Sequence, residues 1–257
     1  MVESHSRRRS TSITIAPTHP ERVIVLFHGY TGSPGEFGAL PEYLSREFNA
    51  IVHIPLLPGH CTRVEELFDI SYEQLSEAAE RAVTDMQMKN LPVAIGGHSF
   101  GGYLAMQSAS STRPAAVFST VTPYQLRWKY SMPLLHVLGK VRPLWNKRLS
   151  PEELSERRRI GSYHQMPAIG LAMVQEGNKR MPKALEDVRC PILTIHAEHD
   201  LLALPSSADA LISCSPSLVR ESHVIANGRH SLFLSQDSHI VRNIITQFLS
   251  RAFISDI

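Results

Sequence analysis

Cysteine is scarce in this chain of 257 residues. Cys61, Cys190 and Cys214 are odd in number and far apart, which excludes a disulfide framework and fits no metal-ligand spacing. So few thiols point to a reducing compartment. No apolar run approaches the roughly 18 residues that a membrane span needs. Arg7-Arg8-Arg9 is followed by Ser10-Thr11-Ser12 and no apolar segment, so we expect no signal peptide and a soluble, cytoplasmic protein. A large excess of either charge is missing as well: the formal net charge is +2, which gives no global attraction to nucleic acid. With 43% hydrophobic and 19% charged residues, the composition is that of an ordinary globular protein, long enough for one large domain or two small ones. There is no internal repeat and no low-complexity segment. Residues 1–11 are polar, as a mobile terminus is.

Against these absences stands a regular alternation. Arg22-Val-Ile-Val-Leu-Phe27 is a continuous β-rich apolar run, of the kind buried on both faces of a parallel sheet. Ala50-Ile-Val-His-Ile54, 91–96, 115–121, 191–196 and 218–225 read likewise as strands. Helical patterns cover 35–48, 71–89, 100–111, 206–213 and 237–253, and Ser71 with Gln74 three residues on forms a capping-box pattern. Ser12-Ile-Thr-Ile-Ala16 alternates and reads as an edge strand, broken by Pro17 and Pro20. The whole predicts an α/β domain with a mostly parallel, doubly wound sheet. The alternation stops from Tyr124 to Arg189, where no strand is predicted. That stretch holds 13 Lys and Arg against 6 Asp and Glu, a net of +7 that leaves −5 for the rest of the chain. It is also apolar, with Trp128, Met132, Leu134, Leu135, Val137, Leu138, Trp145, Leu171 and Met173. We therefore divide the chain into a core of 1–123 and 190–257 and an insertion of 124–189.

The strongest chemical signal is Gly97-His98-Ser99-Phe100-Gly101, a G-x-S-x-G pattern between the strand at 91–96 and the helix at 100–111. A serine at the apex of such a turn sits in strained backbone. The residues two before and two after lie almost against it, so they must be nearly free of side chain. The helix N-terminus behind the serine favours developing negative charge. A serine hydroxyl is a weak nucleophile at neutral pH; it needs a base, and the base needs an acid to orient it. On such a sheet these follow in the order Ser, Asp or Glu, His, in loops at the carboxyl ends of strands. Asp200 stands just after the strand at 191–196, in Ala197-Glu198-His199-Asp200. His230 stands just after the strand at 218–225, in Asn227-Gly228-Arg229-His230. Glu198 and Asp209 are rival acids, and His223, inside a predicted strand, is the rival base. Two N–H groups must hold the oxyanion: that of Phe100, and that of Tyr30 in the post-strand loop His28-Gly29-Tyr30.

Together with Phe27-His-Gly-Tyr-Thr-Gly-Ser-Pro34, Pro55-Leu-Leu-Pro-Gly-His60 and Cys190-Pro-Ile-Leu-Thr-Ile195, these motifs resemble the α/β-hydrolase superfamily, and within it the small bacterial carboxylesterases and monoacylglycerol lipases. The resemblance runs from about Arg22 to Phe253. It implies a cofactor-free serine hydrolase acting on esters of medium or long acyl chains, with a small helical cap at 124–189. Matched by motif, Ser99 is the nucleophile, Asp200 the acid, His230 the base, and Tyr30 and Phe100 the oxyanion donors. Two departures stand out. Gly59-His60-Cys61 puts a cysteine where the family commonly has glycine, and we read Cys61 as a buried, inert thiol rather than an oxidation-sensitive one. Ala197-Glu198-His199 lacks the glycine common shortly before the acid, and His199 is placed to alter the hydrogen bonding of Asp200.

The expected reaction is acyl transfer to water on a small-molecule ester carrying an acyl chain, with no metal, no cofactor and no nucleic-acid partner. The basic insertion adds an expected transient contact with anionic lipid surfaces. Thioesterases, C–C bond hydrolases and cofactor-free peroxidases use the same three residues, and nothing in the chain separates them from an esterase. A non-catalytic ligand-binding relative would usually lack one of the three, and none is missing here.

Overall fold

Side chains alternate between the two faces of a strand, so a run that is apolar at every position needs cover on both. The computed structural model describes residues 11–127, 143–147 and 149–254. Its strands are β1 (Ile13–Ile15), β2 (Arg22–Phe27), β3 (Ala50–Ile54), β4 (Val93–His98), β5 (Ala116–Thr120), β6 (Leu144–Asn146), β7 (Gln165–Pro167), β8 (Ile192–Ala197) and β9 (Arg220–Ile225). Seven of them form one sheet in the order β1-β3-β2-β4-β5-β8-β9. Only the pairing of β1 with β3 is antiparallel. In β2, Val23, Val25 and Phe27 enter one hydrophobic cluster while Ile24 and Leu26 enter another on the opposite face.

The helices supply the two covers. They are α1 (Leu40–Phe48), α2 (Tyr72–Gln87), α3 (Phe100–Thr112), α4 (Pro151–Ile160), α5 (Ile169–Asp187), α6 (Ser207–Ser213) and α7 (Ser238–Ile254). Leu75 and Val83 of α2, Tyr103 and Leu104 of α3, Met181 and Leu185 of α5 and Leu211 of α6 pack on one face. Leu40 and Leu44 of α1 and Val241, Ile245 and Phe248 of α7 pack on the other. This is the α/β-hydrolase arrangement, a mostly parallel sheet wound on both sides. Ser71 caps α2 as expected: its side chain accepts the Gln74 N–H while the Gln74 side chain accepts the Ser71 N–H.

The structure departs from the sequence reading in three places. The helix expected over 35–48 is a 3-10 turn, Pro34–Phe37, then a break, then α1. The break falls at Gly38, whose φ of 55° is left-handed and ends the turn. A second 3-10 stretch, Val64–Asp69, lies where the sequence reading assigns no element. The insertion, where no strand was expected, contains the antiparallel pair β6–β7. Each of these strands is three residues long, too short to show an alternation, and β7 ends in Pro167. Trp128, Met132, Leu134, Leu135, Val137 and Leu138 lie outside the described residues, as do residues 1–10.

The topology also places the site. From β2 the chain moves outward to β3, then returns past β2 to β4 on the other side. The crevice at the carboxyl ends of β2 and β4 is thus the point where the winding reverses, the usual ligand position in open α/β sheets.

Candidate active site

Ser99 closes β4 and opens α3. Its φ of 53° and ψ of −120° lie outside the regions that residues with a Cβ ordinarily occupy. The flanking glycines are a steric requirement. A Cβ on Gly97 would stand 2.1 Å from the Gly101 carbonyl oxygen, and a Cβ on Gly101 would stand 2.0 Å from that of Phe27. The Ser99 N–H donates to Thr120 O at 2.8 Å, so β5 holds the apex from its other side.

Ser99 Oγ lies 2.9 Å from Nε2 of His230, and Nδ1 of His230 lies 2.7 Å from Oδ2 of Asp200. A carboxylate can only accept, so Nδ1 carries the proton and Nε2 accepts from the serine hydroxyl. Asp200 is fully buried. Its other oxygen takes the N–H groups of Leu202 (2.7 Å) and Ala203 (3.2 Å). Burial pushes the Asp200 carboxyl up, but His230 and these two donors outweigh it and hold the pKa at about 2. The loop carrying Asp200 is tied from the start of the insertion: Arg127 Nε donates to Asp200 O at 2.5 Å and its Nη2 to Glu198 O at 3.3 Å. Arg127 was not singled out in the sequence, where it is one basic residue among many.

The structure thus brings together Ser99, Asp200 and His230 and leaves their rivals elsewhere. Glu198 accepts the Asn227 N–H at 2.8 Å, and Asp209 accepts from the Ser222 hydroxyl. His223 sits in β9 beside Glu221, 3.9 Å away. His199 is exposed and is not among the donors to the Asp200 carboxylate. Cys61 stands at φ 56°, a left-handed position that explains why a glycine suits it. Burial above all, with Glu36 nearby, pushes its thiol up to about 11, away from thiolate chemistry.

Tyr30 and Phe100 are neighbours, with ring centroids 5.4 Å apart. Among the described residues no acceptor takes either backbone N–H. Two buried histidines hold the loop that carries Tyr30. Leu57 N–H donates to His28 Nε2 at 3.2 Å, so His28 Nδ1 bears the proton and donates to Gly29 O at 3.0 Å. His60 Nε2 donates to Tyr30 O at 2.6 Å. Burial foremost pushes His28 down to about 3 and lowers His60 as well. Their motifs were visible in the sequence, but nothing there distinguished these two from the other eleven histidines as clamps of the loop.

The insertion forms part of the wall. Tyr163 N–H donates to Thr31 O at 2.9 Å, Ser33 Oγ donates to Ile160 O at 2.6 Å, and Lys147 Nζ donates to Thr31 Oγ1. Burial, reinforced by Arg157 and opposed by Glu36, pushes the Lys147 amine down to about 7. A cleft of about 430 Å³ opens between α4 and the elbow, lined by His98 and Ser231, the neighbours of Ser99 and His230, and by Glu36, Arg157, Ile160 and Leu234. Its size suits a small organic molecule. Among the described residues no group of three or more His, Cys, Asp or Glu side chains is placed to hold a metal ion.

Comparison with known proteins agrees with the architecture. The model of a family described as the alpha/beta hydrolase family matches residues 24–243. A structure from a study of LipS and LipT, two metagenome-derived lipolytic enzymes, superposes with a TM-score of 0.82 at 18% identity, covering 95% of this chain and 98% of its own. The monoacylglycerol lipase of Paleococcus ferrophilus gives 0.72 at 18% identity, with coverage of 94% and 98%. A soluble variant of the Saccharomyces cerevisiae monoglyceride lipase, solved with a substrate analogue, gives 0.72 at 15%, with coverage of 94% and 91%. At these identities the likeness is one of fold.

Proposed function

Because the chain belongs to the alpha/beta hydrolase family, we propose that it is a serine hydrolase that cleaves carboxylic esters through an acyl-enzyme on Ser99. One observation carries the reading: Ser99 Oγ, His230 and buried Asp200 form a single hydrogen-bonded chain, with spacings of 2.9 Å and 2.7 Å, on a strained turn. In the first half-reaction His230 Nε2 takes the Ser99 proton as Oγ attacks the ester carbonyl carbon. Asp200 stabilises the imidazolium that results. The N–H groups of Tyr30 and Phe100 hold the oxyanion. The carbonyl reforms as the C–O bond to the alcohol breaks, and the alcohol leaves with the proton from His230. Water then repeats the sequence on the acyl-enzyme and frees the acid and Ser99.

We assign 124–189 the role of a cap over this site. No helix among the described residues is long and apolar enough to cross a membrane. The cap's net charge of +7 suits transient contact with anionic lipid surfaces instead. A charge-reversed cap should lose rate on vesicle-bound ester while keeping it on soluble ester; an unchanged ratio removes the lipid contact.

The decisive test is a series of p-nitrophenyl esters of rising chain length, with Ser99→Ala as control. Turnover by the parent protein and none above background by Ser99→Ala is the expected result. Absence of parental turnover would sink the esterase reading, and survival of activity in Ser99→Ala would reassign the nucleophile.

A further inference from the structure

We propose that Glu36 is a positioning residue that sets the aim of the oxyanion loop by taking the Gly29 N–H on its carboxylate. The proposal rests on the serine-hydrolase reading, which makes the Tyr30 N–H an oxyanion donor. Three successive peptide units of the loop are involved. The Gly29 N–H donates to Glu36 Oε2 at 2.8 Å. The next unit carries Gly29 C=O and Tyr30 N–H; its carbonyl accepts from His28 at 3.0 Å. The third offers Tyr30 C=O to His60 at 2.6 Å. In a trans peptide the C=O and N–H point opposite ways, so the bond from His28 to Gly29 O turns the Tyr30 N–H to the other side of the loop.

Gly29 is the hinge between the first two units and has no Cβ to restrict it. A clamp on its carbonyl alone leaves rotation on its N side. The Glu36 carboxylate closes that freedom. It fills the hollow of the loop: a Cβ on Gly32 would stand 2.1 Å from Oε2, and a Cβ on Gly29 would stand 3.3 Å from Oε2 and 3.4 Å from Ser99 Cβ. The anchoring group therefore lies on the side of Gly29 that faces the nucleophile. A bond from an N–H to an ionised carboxylate is stronger than one to a neutral acceptor. Burial pushes the Glu36 carboxyl up, yet its polar surroundings, the Arg157 charge and the Gly29 N–H among them, hold it below the ordinary glutamate value. Arg157, in the same cleft, comes from the insertion, so the anchor also couples the oxyanion loop to the wall above it.

The test compares Glu36→Ala and Glu36→Gln in the full-length protein. Glutamine keeps an acceptor for the Gly29 N–H and removes the charge. On a p-nitrophenyl ester, Glu36→Ala should lower kcat by roughly 10- to 100-fold, a part of the loss seen when an oxyanion donor is removed outright, with KM within about twofold. Glu36→Gln should stay within about threefold of the parent. Affinity for a boronic acid, which forms a tetrahedral adduct on serine, should fall in Glu36→Ala by about the same factor as kcat. Hydrogen exchange of a peptide spanning residues 28–33 supplies a readout that needs no turnover: the Gly29 amide should exchange about tenfold faster in Glu36→Ala and at the parental rate in Glu36→Gln. Parental exchange in Glu36→Ala overturns the proposal, as does an equal loss of kcat in both variants. A parent protein that hydrolyses no ester defeats the serine-hydrolase reading instead, while the exchange data still decide whether Glu36 anchors the loop.

Discussion

Ser99 holds a backbone conformation that a residue with a Cβ resists, at a cost of order 1–3 kcal/mol, and the surrounding glycines and β5 keep it there. Replacing it should therefore act on stability and on chemistry in opposite directions. Ser99→Gly relieves the strain and should raise the unfolding free energy by about 1 kcal/mol while abolishing ester turnover. Urea unfolding of the two proteins measures the first effect; a variant less stable than the parent contradicts the strain. Asp200 acts differently. In the proposed mechanism its buried carboxylate orients His230 and stabilises the charge that forms there, so Asp200→Asn should keep the fold and lower kcat on the order of 10⁴-fold, with KM little changed. The three residues that the structure brings into one hydrogen-bonded chain were legible from the G-x-S-x-G motif and from position, because Ser99 ends a strand and Asp200 and His230 lie in the loops after β8 and β9. The residues that hold them were not. Arg127 reaches Asp200 O across 73 positions, and His60 reaches Tyr30 O across 30. Contacts so distant in sequence leave no local pattern to read.

At the scale of elements, legibility followed burial. β2, β4, β5 and β8 are covered on both faces, so their apolar runs are continuous and readable. Bounds did not follow burial: the half-buried edge strand β9 starts at Arg220 instead of 218, and fully buried β4 runs Val93–His98 instead of 91–96. In β6 and β7 three residues each carry no period at all. The capping box that opens α2, Ser71 with Gln74, was readable, while the equally complete one that opens α4, Ser150 with Glu153, was not picked out. Ser71→Ala should destabilise the protein by about 1 kcal/mol, read as a lower urea midpoint. The elbow behaves otherwise. Gly101→Ala forces a methyl to within 2.0 Å of the Phe27 carbonyl oxygen, so β2 and α3 must separate. We expect loss of turnover together with a fall in thermal midpoint; a Gly101→Ala protein with parental activity would contradict the close packing of the turn.

For the whole molecule, the same burial that builds the site makes the fold sensitive to acid. His28, His98 and His196 are all buried, and burial is the first cause that pushes them down, to about 3, about 4 and about 4. Each stays neutral where an unfolded histidine, near 6.5, takes up a proton. Between pH 6.5 and 4 the unfolded chain therefore binds protons that the folded chain refuses, and stability falls as pH falls. Every such histidine removes ~1.4 kcal/mol per pH unit in that window, so three together remove ~4 kcal/mol per unit. Against a total of roughly 5–15 kcal/mol for a domain, this loss over the window is a large share of the whole stability. Asp200 extends the loss below the window, since its depressed pKa contributes stability that disappears only as pH drops from about 3.8 through about 2. Urea midpoints measured at pH 7, 6 and 5 should decline steeply. His196, whose ring nitrogens have no hydrogen-bond partner among the described residues, is the residue to remove: His196→Leu should flatten that decline by about a third. Equal midpoints at pH 7 and pH 5 would show that these histidines do not stay neutral in the folded protein.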